Sequence, residues 1–304
     1  MDTASLGRLL FLSAIWGASF LFMRIGSPAL GPAVLIEFRL FFAALFLVAV
    51  ALYLRKKLPL REHWTHFVIL GFFNSALPFL LFAFAAQTVS ASLMAILNAT
   101  SPIWGALITA LLKPKTLTAK VILGLCLGVS GVSVLVGYDA ITLEPGAGLA
   151  IAACIGAAFS YGIAANYVSF RRAAQDFGKS QLSSFDNAHG SMWAASLIVL
   201  PLALMSSSPE QVSIELSASV ITLGVVCTGL AYLIYFRLME DIGAASALTV
   251  TFLVPVFGVF WGWLVLNEVV GWHTLAGAVI VITGTALVTN FSPSRLLVRQ
   301  SQNY

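Results

Sequence analysis

Side chains suited to binding a small polar molecule recur at a spacing of four along several stretches of this sequence. Two such stripes are Asn74, Pro78 and Phe82, and Met94, Asn98 and Pro102. Residues four apart lie on one face of an α-helix. Amide groups donate and accept hydrogen bonds without carrying a permanent charge. The pattern therefore favours noncovalent binding of a ligand over bond-breaking chemistry.

Residues that would carry catalysis or metal binding lack the companions that such chemistry needs. His63 and His66 are three apart, but no further ligand accompanies them, and a zinc site takes three or four. The sequence contains Gly178, Lys179 and Ser180, which match the last three residues of a phosphate-binding loop. The earlier glycine of that motif is missing, and no strand precedes it. The three cysteines are dispersed through apolar runs. The sequence therefore predicts no enzyme, no metal site and no cofactor.

The composition places nearly the whole chain in a membrane. Of its 304 residues, 60% are hydrophobic and 9% are charged, whereas soluble domains average about 45–50% apolar and about 25% charged residues. A net charge of +4 is too small to coat nucleic acid, so no nucleic-acid partner is expected. A membrane-spanning helix takes about 20 residues, which leaves room for about ten spans. The expected partners are the lipid bilayer and a small molecule.

Charged and turn residues divide the chain into ten apolar stretches. They cover residues 7–24, 33–54, 64–86, 90–112, 118–137, 147–168, 183–205, 214–238, 244–265 and 272–290. Nearly all of the 16 Lys and Arg fall in alternate connections, which marks those connections as cytoplasmic under the positive-inside rule. We therefore expect a multi-pass membrane protein with both termini in the cytoplasm.

The second half of the sequence repeats the first. At an offset of 153 residues, the matching pairs are Gly71 with Gly224, Pro102 with Pro255, Gly105 with Gly258, Gly124 with Gly277, and Gly131 with Gly284. The halves, 1–141 and 142–304, each hold five predicted helices; because five is odd, the second half enters the membrane from the opposite side. The expected fold is all-α, with ten transmembrane helices in two inverted five-helix repeats. Inverted repeats are typical of alternating-access transporters, although a duplication retained for stability alone would leave the same pattern.

A set of short motifs resembles a known family. The motifs are Trp16-Gly17 with Phe20 and Arg24, Phe38-Arg39 with Ala43-Ala44, Pro255-Val256-Phe257, Asn267-Glu268, Gly277 and Gly284. Over essentially the whole chain they are similar to the EamA-type transporters of the drug/metabolite transporter superfamily, and among those to bacterial aromatic amino acid exporters of the YddG type. The resemblance implies a ten-helix exporter of small metabolites in a bacterial-type inner membrane.

We expect a central cavity lined by stripes from predicted helices 3, 4, 8 and 9, with aromatic walls. The candidate substrate-binding residues are Trp16, Phe20, Asn74, Pro78, Phe79, Phe82, Met94, Asn98, Pro102, Phe159, Tyr232, Tyr235, Thr251 and Pro255. Their amides and hydroxyls would hold a zwitterion, and their rings would hold its apolar part. The alternatives are interhelical hydrogen bonds for Asn and Thr, and lipid contacts for the aromatic residues.

Four ionisable residues are predicted to form a gate at the outer mouth. They are Arg24, Glu37, Arg39 and Glu268. Glu37 and Arg39 are two apart and point to different faces of a helix, so we expect each to pair with another helix, for example Glu37 with Arg24. The alternative is that these side chains reach the lipid headgroups and form structural ion pairs.

The functional prediction is export of small metabolites by alternating access, with aromatic and other neutral amino acids as the expected substrates. The alternative is export of drugs, purines or other amphipathic metabolites. No carboxylate or histidine marks a proton relay near the middle of a predicted span, which favours facilitated movement over proton coupling. The sequence leaves the oligomeric state and the resting conformation open.

Overall fold

The computed structural model describes residues 3–112, 118–139, 146–173, 182–206, 212–243, 247 and 249–289. This part of the chain is organised as helices. They are α1 (Thr3–Leu30), α2 (Pro32–Tyr53), α3 (Leu60–Gly71), a π-helical segment π1 (Phe72–Ala76), α4 (Leu77–Ala85), α5 (Ala91–Asn98), α6 (Ser101–Leu112), α7 (Ala119–Asp139), α8 (Ala147–Ala173), α9 (Ser184–Leu204), α10 (Ile214–Gly224), a second π-helical segment π2 (Val225–Leu230), α11 (Ala231–Ile242), α12 (Val250–Leu266) and α13 (Trp272–Val288).

These helices form ten membrane-crossing units. Seven stretches are long and apolar enough to span a bilayer: Thr3–Leu30, Pro32–Tyr53, Arg61–Ala85, Ala91–Leu112, Ala147–Arg171, Ser184–Leu204 and Ile214–Ile242. Three shorter apolar helices, Ala119–Leu135, Val250–Leu266 and Trp272–Val288, complete the set. Each unit matches one apolar stretch of the sequence, which confirms the predicted all-α membrane fold. The proposed boundary between the repeats, at 141/142, lies outside the described residues.

Two contacts between helix ends agree with units that alternate in direction. We call the end where α1 begins the proximal end and the opposite one the distal end. At the proximal end, Arg8 of α1 forms an ion pair of 2.5 Å with Asp241, at the close of α11. At the distal end, the amide of Ala91 at the start of α5 donates to the Glu268 carboxylate, which follows α12, at 2.7 Å.

The glycines of α7 and α13 show the inverted symmetry directly. A Cβ atom on Gly124 would lie 2.7 Å from the Gly284 carbonyl oxygen, and one on Gly131 would lie 3.1 Å from the Gly277 carbonyl oxygen. In the repeat alignment Gly124 corresponds to Gly277, and Gly131 corresponds to Gly284. The two close contacts are therefore images of each other, as a pseudo-two-fold axis in the membrane plane requires.

Replacing Gly284 with alanine is expected to lower the melting temperature of the purified protein. The added methyl group would stand 2.8 Å from the Gly124 carbonyl oxygen and 2.9 Å from the Gly128 nitrogen. Backbone atoms of packed helices cannot easily move aside, so we expect the free energy of unfolding to fall by about 1–3 kcal/mol. Gly7→Ala is the matched control, because a Cβ atom there meets nothing within 4 Å. Equal melting temperatures for the two variants would contradict this close packing.

In the described part of the chain, three crossing units are irregular near the middle. The π-helical segments π1 and π2 begin at Phe72 and Val225, which correspond in the two repeats. The fourth unit breaks between α5 and α6, just before Pro102, whose ring nitrogen cannot donate to the helix ladder. Such irregularities free backbone and side-chain polar groups at membrane depth, where they can line a cavity.

Candidate substrate cavity

A cavity of about 660 Å³ lies between the two repeats. Ten of the predicted substrate-binding residues line it: Trp16, Phe20, Asn74, Phe79, Phe82, Asn98, Pro102, Tyr232, Tyr235 and Thr251. This volume falls in the range of small-molecule sites, which are about 300–1,000 Å³. The cavity combines a large apolar wall with a few polar groups.

Aromatic rings from both repeats form the apolar wall. The ring centroid of Trp16 lies 5.3 Å from that of Tyr235 and 6.5 Å from that of Tyr232. Phe20 meets Phe82 edge-on, with centroids 5.3 Å apart. Offset and edge-on packing of this kind holds aromatic rings in place. A flat apolar group entering the cavity therefore finds surfaces supplied by α1, α4 and α11.

The polar groups of the cavity lie at the irregular points of the helices. Asn74, in π1, donates its amide to the Tyr232 hydroxyl at 3.1 Å and so links the two repeats. Asn98 is the last residue of α5, and its carbonyl oxygen accepts from the Ser101 hydroxyl at 2.6 Å. The break before Pro102 thus brings Asn98 and Ser101 to the cavity.

Four predicted binding residues lie outside the cavity lining. Pro78, Met94 and Pro255 are buried among the packed helices. Phe159 lies on the outer face of α8, is 40% exposed, and meets the Trp104 ring edge-on at 5.7 Å. Its helix is apolar on several faces, so its sequence pattern does not identify the face that points inward.

Arg39 lies in the cavity, not at an outer mouth. It follows the start of α2 by seven residues, which is about 10 Å along the helix at about 1.5 Å per residue. Its side chain is buried and lines the cavity. The predicted four-residue gate is therefore not a single cluster.

The other three gate residues each bind a different partner. Arg24 donates to the Ala86 carbonyl oxygen at 2.6 Å. Glu37 accepts from the Ser196 hydroxyl at 2.6 Å, so the expected pairing of Glu37 with Arg24 is wrong. Arg24, in the last part of α1, instead binds the residue that directly follows α4.

Glu268 caps the distal start of α5. Its carboxylate accepts from the Ala91 amide at 2.7 Å, from the Ser92 amide at 3.0 Å and from the Ser92 hydroxyl at 2.5 Å. We call these contacts, together with the Arg24 contact to Ala86, the distal clamp. The clamp joins the second repeat to the first at the end away from the start of α1, and it holds both sides of the short α4–α5 connection.

The cavity reaches the proximal end through a polar rim that the sequence did not single out. The Thr109 hydroxyl donates to the Asn166 amide oxygen at 2.7 Å, and both residues line the cavity together with Asn187. Ala165 and Ser169 of the same lining are exposed. Asn166 lies inside the predicted span 147–168. A polar side chain within a membrane span is often functional, and this feature of the sequence could have identified Asn166.

The comparisons with known proteins identify the family. The model of the EamA-like transporter family matches residues 6–137 and 148–290. The chain belongs to the EamA-like transporter family. Because the family consists of transporters, the chain is a membrane transporter. This agrees with the prediction that it is not an enzyme.

Relatives of similar length support this EamA-like assignment. The chain is 23% identical to the uncharacterized transporter YoaV of Bacillus subtilis (strain 168), over 92% of this chain and 95% of YoaV. It is 26% identical to an uncharacterized transporter of Archaeoglobus fulgidus, over 90% and 93% of the two chains, and 22% identical to Protein PecM of Dickeya dadantii (strain 3937), over 93% and 91%.

A crystal structure of a protein with 17% identity matches this fold at a TM-score of 0.64, over 100% of both chains. At this identity the likeness concerns the fold alone. The ten-helix arrangement of this EamA-like chain therefore also occurs in a solved structure.

Proposed function

We propose that this EamA-like transporter exports neutral amino acids, aromatic ones among them, through the central cavity. The observation that supports this most strongly is the combination of wall and polar groups in one cavity. Trp16, Tyr232 and Tyr235 offer ring surfaces to an apolar side chain, while Asn74 and Asn98 offer amides. A molecule with a compact polar end and an apolar body fits that division.

The proposed orientation places the proximal end in the cytoplasm. The connections rich in Lys and Arg all fall at that end in the alternating arrangement, and such connections stay in the cytoplasm. Both termini are then cytoplasmic, in a bacterial-type inner membrane. The exposed lining residues Ala165 and Ser169 lie at the proximal end, which supports an inward-open state in this orientation.

In the proposed transport cycle the two repeats, 1–141 and 142–304, rock against each other. Opening toward the outside requires the distal clamp to release, because Arg24 and Glu268 hold the α4–α5 connection from α1 and from α12. Closure at the proximal end would bring the polar rim together. The pseudo-two-fold symmetry makes the two open states similar in form, which suits alternating access.

Counterflow into liposomes tests the proposed function. Purified protein is reconstituted with unlabelled tryptophan inside and labelled tryptophan outside, and no ion gradient is applied. We expect saturable uptake above equilibrium, with a clear reduction in Asn98→Ala and Tyr235→Ala. Folded protein that gives no counterflow with tryptophan, phenylalanine, threonine or methionine would contradict amino acid transport without an ion gradient. Uptake of those amino acids only under a pH gradient would indicate proton coupling, and counterflow of purines or drugs alone would favour the other substrate class.

A further inference from the structure

Arg39 is held in a fixed position on the cavity wall. Its side chain is 4% exposed. The guanidinium carbon lies 3.6 Å from the centre of the Phe79 ring, and Nε donates to the Thr228 hydroxyl at 3.0 Å. One further nitrogen approaches the Met23 sulfur at 3.4 Å. Contacts from α1, α4 and π2 thus define both the position and the plane of the guanidinium group.

Among the residues that the structure describes, the positive charge of Arg39 has no negative partner. Its hydrogen-bond acceptors, a hydroxyl and a thioether, are uncharged. The ion pairs found among the described residues involve other cations, and Arg39 is the one charged side chain in the lining of the cavity as the structure describes it. Burying an unpaired charge is costly. A guanidinium that faces a cavity is therefore a ready site for an anion, and its fork geometry suits a carboxylate.

The lining treats the two charged groups of an amino acid unequally. A carboxylate would meet Arg39, whereas an ammonium group would find amides, hydroxyls and ring faces but no carboxylate among the described lining residues. Binding of a zwitterion leaves the cavity with a net positive charge, and binding of a carboxylate anion neutralises it. The amino group is therefore the less important part of the ligand.

Building on the proposed function, we propose that Arg39 is the carboxylate-binding residue of this cavity. The substrate class is organic carboxylates with an apolar or aromatic body, and the α-amino group is dispensable. Neutral amino acids belong to this class, and so do their deaminated analogues. Amides and amines with the same body do not belong to it, because they lack the group that Arg39 recognises.

Binding of four matched ligands to the purified full-length protein tests this proposal without requiring transport. The ligands are tryptophan, indole-3-propionate, tryptophanamide and tryptamine, and the readout is titration calorimetry in detergent. We expect indole-3-propionate to bind at least as tightly as tryptophan. Tryptophanamide and tryptamine should bind at least about tenfold more weakly, because they lose a charge-assisted hydrogen-bonded pair.

Variants of Arg39 provide a second test of carboxylate binding. In Arg39→Gln the preference for tryptophan over tryptophanamide should fall to within about twofold, and Arg39→Lys should retain part of it, since lysine keeps the charge but loses the planar fork. Melting temperature and elution volume report whether each variant is folded. If neither variant folds, the ligand series on the unmodified protein decides alone.

The outcomes separate this proposal from the proposed function. Binding of indole-3-propionate without binding of tryptophan would support the carboxylate site and contradict amino acid transport. Equal binding of tryptophan and tryptophanamide would overturn the carboxylate site and leave amino acid transport standing. Failure of all four ligands, together with a shift in melting temperature by chloride alone, would also overturn the proposal, because Arg39 would then bind an inorganic anion.

Discussion

Replacing Glu268 with alanine is expected to open the distal end of the cavity. The carboxylate accepts two amide hydrogens and one hydroxyl hydrogen from Ala91 and Ser92, and the proposed outward opening breaks all three bonds. Hydrogen bonds to a charged group contribute about 1.5–3 kcal/mol each. If Glu268→Ala destabilises the state closed at the distal end by only about 2 kcal/mol, the ratio of the two open states shifts by about 30-fold.

A cysteine at position 101 reports this change. Ser101 lines the cavity, and Ser101→Cys is placed in a chain whose three native cysteines are replaced by alanine. A membrane-impermeant maleimide added outside intact cells should label it slowly, and at least about tenfold faster once Glu268→Ala is added. Glu240→Ala is the matched control, because that carboxylate is 73% exposed at the proximal end. Equal labelling rates in the Glu268 and Glu240 variants would contradict the role of the clamp.

The local sequence around Glu268 is built to place this carboxylate. Asn267 adopts the left-handed conformation, with φ of 54°, which asparagine tolerates better than most residues. The chain then turns back, and the Glu268 amide donates to the Gly262 carbonyl oxygen at 3.1 Å. A Cβ atom on Gly262 would collide with the Glu268 carboxylate. These features support the interpretation that the clamp is a specific contact.

Replacing Trp16 with alanine should weaken tryptophan binding strongly. The Trp16 ring packs against Tyr232 and Tyr235, so its loss removes the centre of the aromatic wall. A buried ring contributes about 1.5–3 kcal/mol through its area alone, which corresponds to a rise in Kd of about 10- to 160-fold. Binding of alanine, whose side chain is a single methyl group, should change far less.

Phe159→Ala provides the control for the aromatic wall. The sequence predicted Phe159 as part of the wall, but the structure places it on the outer face of α8 against Trp104. We therefore expect the Kd for tryptophan, measured by titration calorimetry, to stay within about twofold of its original value. A larger loss in Phe159→Ala than in Trp16→Ala would show that the ligand binds elsewhere.

The sequence predicted the fold well because membrane helices follow from local signals. Long apolar runs and alternating basic connections define the spans, and glycines that cannot accept a Cβ atom, such as Gly124 and Gly284, must recur where helices cross closely. The repeat offset then relates the two halves. These features need no knowledge of which helix packs against which.

The sequence was less successful with side-chain partners. Arg39 was assigned to an outer gate because it stands near the start of its span, although its depth of seven residues was a signal of an interior position. The distal clamp was not predicted in detail, because Glu268 binds backbone amides, and no residue type marks those. Phe159 was misplaced because contacts between helices, not local pattern, decide which face of an apolar helix points inward.

Protection of the cavity by substrate tests the central claim most directly. In the proposed orientation inside-out vesicles expose the proximal end, and a membrane-impermeant maleimide should then label Ser101→Cys readily. We predict that tryptophan slows this labelling, with half-protection at the concentration that half-saturates counterflow. Labelling that is unaffected by tryptophan, at concentrations that saturate counterflow, would contradict the account, because the transported molecule would not occupy this cavity.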